Sequence, residues 1–288
     1  MPVSRSPLPP TTSRVVFVDV DGTLVDHDGR VPDSAKHAIH AARANGHLVF
    51  MCTGRSRPEL WPEVTDIGFD GLIAGAGAFA AVGDLELVHR HFDPAQVERV
   101  ADFFGRHGFD YFFEGAYGLF GTHGVRDRVE TMLRAAVADA ARFANLRRGF
   151  FAYMDLIQVD PRPGRPVSKL LFLLEEGVTF EDVRAEFGDF HVIPSSVPTF
   201  GTLCGEMQLP GVHKASGIDA VLAHLGIPRE RTIALGDSDN DLEMLRHAGI
   251  GIAMGNARPH VKDAADEVTA AVDEDGVHQA LARHGLLG

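Results

Sequence analysis

Apolar and polar residues alternate along this chain in two rhythms. Short apolar runs occur at Val15–Val18, His47–Cys52, Gly71–Ala74, Thr232–Leu235 and Gly249–Ala253, each followed by a polar or glycine-rich turn. Runs without alternation fit strands covered on both faces, as in a parallel sheet. Between the first two runs, Ala35, Ala38, Ile39 and Ala42 recur at helical spacing, opened by Pro32-Asp33-Ser34 and closed by Asn45-Gly46. A second helical stripe, Ile218, Val221, Leu222 and Leu225, ends at Gly226. A β-α-β connection is right-handed, so the second run lies parallel to and beside the first. The pattern predicts an α/β fold with a doubly wound, mostly parallel, Rossmann-like sheet in the order 3-2-1-4-5.

From about Gly83 the rhythm changes. A strand over Leu85–Arg90 precedes a helix begun by Asp93-Pro94, with Val97, Val100, Ala101 and Phe104 on one face. A hairpin is predicted from Phe109–Glu114 and Tyr117–Thr122 around Gly115, then one helix over Val125–Phe143. Strands over Phe151–Val159 and Val167–Leu174, a helix over Thr179–Phe187, and strands over Phe190–Ile193 and Thr202–Leu209 complete the module. Hairpins mixed with helices indicate an α+β domain inserted into the parallel sheet. The expected division is a leader over 1–13, a core from 14–83 and 201–288, and an inserted domain over 84–200, where substrate selectivity resides. Phe112, Phe113, Phe150 and Phe151 read as core. An edge strand over Glu267–Thr269 and a helix over Asp275–His284 close the chain.

Composition narrows the functional classes. The 288 residues carry 45% hydrophobic content, enough for two cores. A formal net charge of -13 argues against nucleic acid or an anionic membrane as partner. Cys52 and Cys204 are the only cysteines, too few for a disulfide framework or a thiolate zinc site. None of the histidines has zinc-protease spacing, and His89 and His91 read as solvent-facing strand residues. The proline- and serine-rich first residues lack the apolar segment of a secretion signal, and charges or prolines interrupt every long apolar run. A soluble, cytoplasmic protein, monomeric or a small homo-oligomer, is expected.

The candidate chemistry lies at the carboxyl ends of the predicted strands, where open α/β sheets bind ligands. Asp19 and Asp21 end the first run, with Gly22 allowing an immediate turn; a capped Asp-Gly turn is the plain alternative. Thr53-Gly54 ends the second, offering a hydroxyl and a backbone amide to a phosphate oxygen, or merely a helix cap. Gly236-Asp237-Ser238-Asp239-Asn240-Asp241 ends the fourth, and Lys214 opens the helix before it. The order 3-2-1-4-5 brings Asp19, Asp21, Thr53, Asp237 and Asp241 to one crevice. Four carboxylates so close need a cation, and hard oxygen ligands favour Mg2+ over zinc. Lys214 adds a point charge for a phosphate, and a carboxylate nucleophile in line with it is an established route for phosphoryl transfer. Gly75-Ala76-Gly77-Ala78 lacks the spacing of a nucleotide fingerprint and reads as a turn or close backbone packing.

Asp19-Val-Asp21-Gly-Thr-Leu, Thr53-Gly-Arg-Ser, Lys214 and Gly236-Asp237-Ser-Asp-Asn240-Asp241 together resemble the haloacid dehalogenase-like phosphatases. The position of the insertion and the tail Ala253-Met-Gly-Asn256-Ala-Arg-Pro-His-Val-Lys, with Ala265-Asp266 and Asp275-Gly276-Val277, resemble the Cof-type branch with an α/β (type IIB) cap. Ala74-Gly75-Ala76 stands where relatives usually carry Asn-Gly-Ala. The resemblance implies that Asp19 attacks phosphorus and binds Mg2+ through its other oxygen. It implies that Asp21 protonates the leaving group, later deprotonates water, and binds metal through its carbonyl. Thr53, Gly54 and Lys214 would stabilise the phosphoryl group. Asp237 would bind metal directly, Asp241 directly or through water, and Asn240 would bind phosphate or orient that shell. Hydrolysis of a small phosphorylated metabolite, a sugar phosphate or phosphorylated cofactor, is the leading expectation. A phosphomutase using Arg147-Arg148 or the Arg162/Arg165 loop for a second phosphate, and a catalytically silent metabolite-binding protein, are the alternatives.

Overall fold

A computed structural model describes residues 13–195 and 203–288; the expected leader, save Ser13, and Thr202 lie outside the described residues. Five strands begin the core: β1 (Val15–Val18), β2 (Leu48–Cys52), β3 (Gly71–Ala74), β4 (Phe79–Val82) and β5 (Leu85–His89). The inserted domain supplies β6 (Asp110–Gly115), β7 (Gly118–Gly121), β8 (Ile157–Val159), β9 (Lys169–Leu173), β10 (His191–Pro194) and β11 (Cys204–Gln208). The chain then returns for β12 (Thr232–Gly236), β13 (Ile250–Ala253) and β14 (Glu267–Val268). The strands form an eight-stranded sheet, β14-β13-β12-β1-β2-β3-β4-β5, and a six-stranded one, β10-β11-β9-β6-β7-β8. The expected order 3-2-1-4-5 is the parallel centre of the larger sheet, which an antiparallel hairpin extends beyond β3.

The central strand shows why the runs lack alternation. Val16 and Val18 pack with Ala35, Ala38, Ile39 and Ala42 of the helix Asp33–Ala44, and with Ala280 and Leu281 of the last helix. Val15 and Phe17 face the other layer, with Ile218, Val221 and Leu222 of the helix Lys214–Leu225 and Met244 and Leu245 beyond. Both faces are therefore covered, and side-chain period 2 divides one apolar run between two cores. At about 25 cal/mol per Å² of apolar surface, this double burial makes β1 costly to expose.

Sheet membership moves the expected domain boundaries. Residues 85–89, expected in the insertion, pair with β4, because the tight turn at Gly83, φ +53°, folds them straight back. Residues 204–208, expected in the core, pair with β9 and β10 of the six-stranded sheet. Inside the insertion, the single helix expected over 125–143 is two, Val125–Ala136 and Ala140–Arg148, because Asp139 accepts a hydrogen bond from the amide of Arg142 (2.6 Å) and starts a new helix. Of the strand expected over 151–159, only Ile157–Val159 is extended; Ala152–Leu156 is a 3-10 turn. His89 does not face solvent: it packs edge-on against Phe79 and Tyr117 with 15% of its side chain exposed. Gly75-Ala76-Gly77 is a tight turn, and Gly77 (φ +101°) comes so close to the carbonyl of His213 that a Cβ would stand 2.2 Å from it.

Candidate active site

The strands β1, β2 and β12 end side by side, which sets the positions of their terminal residues. The amide of Asp19 donates to the carbonyl of Leu235 (3.0 Å), binding the end of β1 to β12. Past it, Gly22 turns the chain with φ +87°, and a Cβ there would lie 2.3 Å from the Asp237 carboxylate. Glycine is needed at this position for both conformation and space.

Asp19, Asp237 and Asp241 converge: one oxygen from each lies within 4.8 Å of the others. The ammonium of Lys214, fully buried in the first turn of its helix, donates to Asp19 Oδ1 and to Asp241 Oδ1, each at 2.5 Å. The other oxygen of Asp241 accepts from the amides of Asp237 (2.9 Å) and Ser238 (3.0 Å). Asp237 is held by Thr23 Oγ1 (3.2 Å) and Asn256 Nδ2 (3.4 Å), and the same amide of Asn256 donates to the carbonyl of Gly22 (2.8 Å).

The charges explain the titration behaviour. Burial, then the Asp241 carboxylate, pushes Asp19 well above the usual carboxylate range despite Lys214. Burial and Asp241 likewise push Asp237 up to about 7. Burial alone would lower Lys214, but Asp19 and Asp241 overcome it and hold the ammonium above its ordinary value. Three carboxylates against one ammonium leave an excess of negative charge in a poorly solvated site. That donor set fits a hard divalent cation, for which all-oxygen ligation is the norm.

The carboxylate of Asp21 is turned elsewhere. Arg55 grips it through Nε (2.8 Å) and Nη2 (3.0 Å), so the structure does not bring this side chain into the acidic cluster. Thr53 is fully buried at the end of β2, its hydroxyl accepting from the amide of Arg55 (3.1 Å). Gly54 faces Asn240: a Cβ on the glycine would lie 3.1 Å from Asn240 Nδ2. Thus Asp19, Lys214, Asp237 and Asp241 form one hydrogen-bonded cluster, while Thr53, Gly54 and Asn240 form its neighbouring wall.

Sequence reasoning passed over Arg55, Thr23 and the role of Asn256, although each lies within a quoted motif. Phe150, expected in the core, does pack against it and has a second role beside Arg55. The ring is partly buried and stacks on the Arg55 guanidinium (3.9 Å), while its carbonyl accepts from Arg55 Nη1 (3.0 Å). The motif showed that an arginine follows Gly54 but not which groups the inserted domain brings to it.

An acidic, lysine-bridged cluster at the strand ends of a doubly wound sheet, beside an inserted α/β domain, defines a hydrolase of the α/β class. The family model of haloacid dehalogenase-like hydrolases matches residues 16–281, and the chain belongs to that family. It is 29% identical over 279 residues to the Bacillus subtilis (strain 168) protein called "Putative phosphatase YkrA", covering 96% of this chain and 99% of that one. It is 26% identical over 286 residues to 5-amino-6-(5-phospho-D-ribitylamino)uracil phosphatase YitU of the same organism, covering 94% and 97%. Among solved structures, the HAD subclass IIB sugar phosphatase BT4131 superposes with a TM-score of 0.72 at 26% identity, covering 95% of this chain and all of that one (100%).

Proposed function

We propose that this phosphatase hydrolyses a small phosphorylated metabolite with Mg2+ as its metal, through a phosphoryl group carried on Asp19. The observation that carries the reading is the meeting of Asp19, Asp237 and Asp241 within 4.8 Å, with Lys214 at 2.5 Å from two of them. Asp19, Asp237, Asp241 and the carbonyl of Asp21 would hold the metal. When bound, Mg2+ supplies charge neutralisation for an anionic substrate among carboxylates.

The remaining roles belong to the chain. Asp19 Oδ1 is hydrogen-bonded to Lys214, which leaves the other oxygen to attack phosphorus. Lys214, Thr53 and the amide of Gly54 take the charge of the transferring phosphoryl oxygens, and Asn240 closes that wall; fixed donors of this kind provide most of the catalysis in phosphoryl transfer. Asp21 donates a proton to the leaving oxygen and then takes one from water, with Arg55 fixing its orientation. The named activities of YitU and BT4131 support a phosphorylated cofactor precursor or a sugar phosphate as the kind of substrate.

Two of the four arginines considered for a second phosphate in a mutase are engaged elsewhere. Arg147 pairs with Glu130 (3.2 Å) and Asp155 (2.6 Å), and Arg162 with Glu98 and Asp102. Among the described residues no helix is long and apolar enough to cross a membrane. The test is phosphate release from a panel of phosphometabolites with and without magnesium. Magnesium-dependent release supports hydrolysis, and conversion to an isomer without release refutes it.

A further inference from the structure

The inserted domain meets the core through a set of charges held out of water. Glu114 on β6, Lys169 on β9 and Glu206 on β11 come from the insertion, and Glu59 comes from the core, in the 3-10 turn Arg57–Glu59 just past Gly54. All four are buried. Lys169 Nζ lies 3.1 Å from Glu206 Oε2, 3.3 Å from Glu114 Oε1 and 3.4 Å from the carbonyl of Gly54, so its ammonium touches both domains. Glu59 Oε2 accepts from the amide (2.7 Å) and hydroxyl (2.8 Å) of Ser56, and Glu114 hydrogen-bonds to Glu59 across the junction.

Two carboxyl groups bond to each other only through a proton, because a carboxylate accepts and never donates. Ionised, Glu59 and Glu114 would repel. The surroundings do not supply the missing charge. Glu59, Glu114 and Glu206 are three carboxyls beside the one ammonium of Lys169, and the other cation facing Glu59, Arg55, is already gripped by Asp21. The remaining titratable neighbours, Tyr153 and Cys204, are buried, and burial holds the phenol and the thiol above their ordinary values and uncharged. A buried excess of negative charge favours keeping one carboxyl neutral. Burial, then Glu59, accordingly pushes Glu114 well above the usual carboxylate range.

We propose that the inserted domain docks on the core by taking up one proton, shared between Glu59 and Glu114, so that the junction closes when that proton is bound and loosens when it is lost. Undocked, both carboxyls are solvated and titrate in the ordinary range; docked, they hold the proton to higher pH. Docking is therefore strongest below the ordinary carboxylate range and weakens as pH rises through the raised one. The docked arrangement is also the one in which Phe150 holds Arg55 against Asp21 and Lys169 meets Gly54. Protonation thus favours the assembled site, whatever phosphorylated compound enters it, and the inference does not depend on the reaction.

Trp61, the only tryptophan of the chain, packs on Phe150 of the insertion (6.2 Å between rings) and reports docking through its emission. Between about pH 5 and about pH 9 the wild-type emission maximum is expected to move to longer wavelength in a single-proton transition, as undocking hydrates the indole, while circular dichroism stays constant. Glu114→Gln, whose amide donates to Glu59 without an added proton, is expected to lose that transition and stay docked throughout. Glu59→Gln is expected to do the same from the core side, and serves if the first variant does not fold. No transition in the wild-type protein overturns the proposal, as does one that coincides with unfolding. A folded glutamine variant that keeps the wild-type midpoint also overturns it, and assigns the transition to the acidic cluster at Asp19 and Asp237 instead.

Discussion

Arg55 binds the carboxylate of Asp21 with two nitrogens and the carbonyl of Phe150 with the third, so one side chain joins the proposed acid/base to the inserted domain. The guanidinium is buried, stacked on Phe150 and near Trp61 (4.9 Å). It is thereby prevented from swinging to another partner. Asp21 itself remains partly exposed, with 36% of its side chain accessible.

Replacing Arg55 with alanine is expected to reduce kcat by about 10- to 100-fold, because a misplaced proton donor costs rate even when the substrate still binds. KM should change much less. Lysine at this position should restore only part of the rate, since it lacks the paired donors. Steady-state kinetics on an alkyl phosphate such as glucose 6-phosphate, whose leaving oxygen needs the proton, separates the two parameters.

Asp19→Asn should reduce magnesium-dependent phosphate release by about 10³-fold or more, the loss typical for removal of a nucleophile. Circular dichroism should show a folded protein. Full activity in that variant would exclude Asp19 as the group that carries the phosphoryl.

Stability should depend on pH in a direction set by the acidic cluster. Asp19 and Asp237 both titrate above their ordinary range in the folded chain, Asp237 at about 7. The folded state therefore holds these protons more tightly than the unfolded one, and stability falls as pH rises from about 4 through 7. In chelator, the melting temperature is expected to be lower at pH 8 than at pH 6, with magnesium raising it more at pH 8. Calorimetry at the two pH values, with and without the ion, checks this.

Gly22→Ala should weaken magnesium dependence and stability together. The added methyl meets the Asp237 carboxylate, and φ +87° adds backbone strain of about 1–2 kcal/mol for an L-residue. Urea unfolding and a magnesium titration of activity measure the two effects; a variant with wild-type metal response would show that the turn can relax away from Asp237.

The parallel centre of the sheet and its strand-end residues were legible because both follow from local pattern. An apolar run fixes a strand, its last residue fixes a position on the ligand-binding edge, and Asp19, Thr53 and Asp237 need nothing more. The boundaries between sheets were not legible, because β5 and β11 are equally good strands in either domain and only their pairing decides. The break at Asp139 was hidden because Val129, Leu133, Ala136, Val137 and Ala140 keep helical spacing across it. Arg55 and Lys169 were hidden for a different reason. Their partners, Phe150 and Gly54, lie across the junction of the two domains, and periodicity carries no information about which side chains meet there.

The strand β1 has β2 on one side and β12 on the other, and the inserted domain is translated between these two partners. Thr23 and Asp237 are 214 positions apart, and Lys214 follows Asp19 by 195. A nascent chain that has emerged only through the inserted domain therefore holds the proposed nucleophile, Asp19, without Lys214, Asp237 or Asp241, beside an open strand edge of the kind that invites mispairing. Catalytic competence and protection of that edge arrive together, when β12 docks late in synthesis. The site is thus assembled from both ends of the chain, and closing the sheet and completing the acidic cluster are one event.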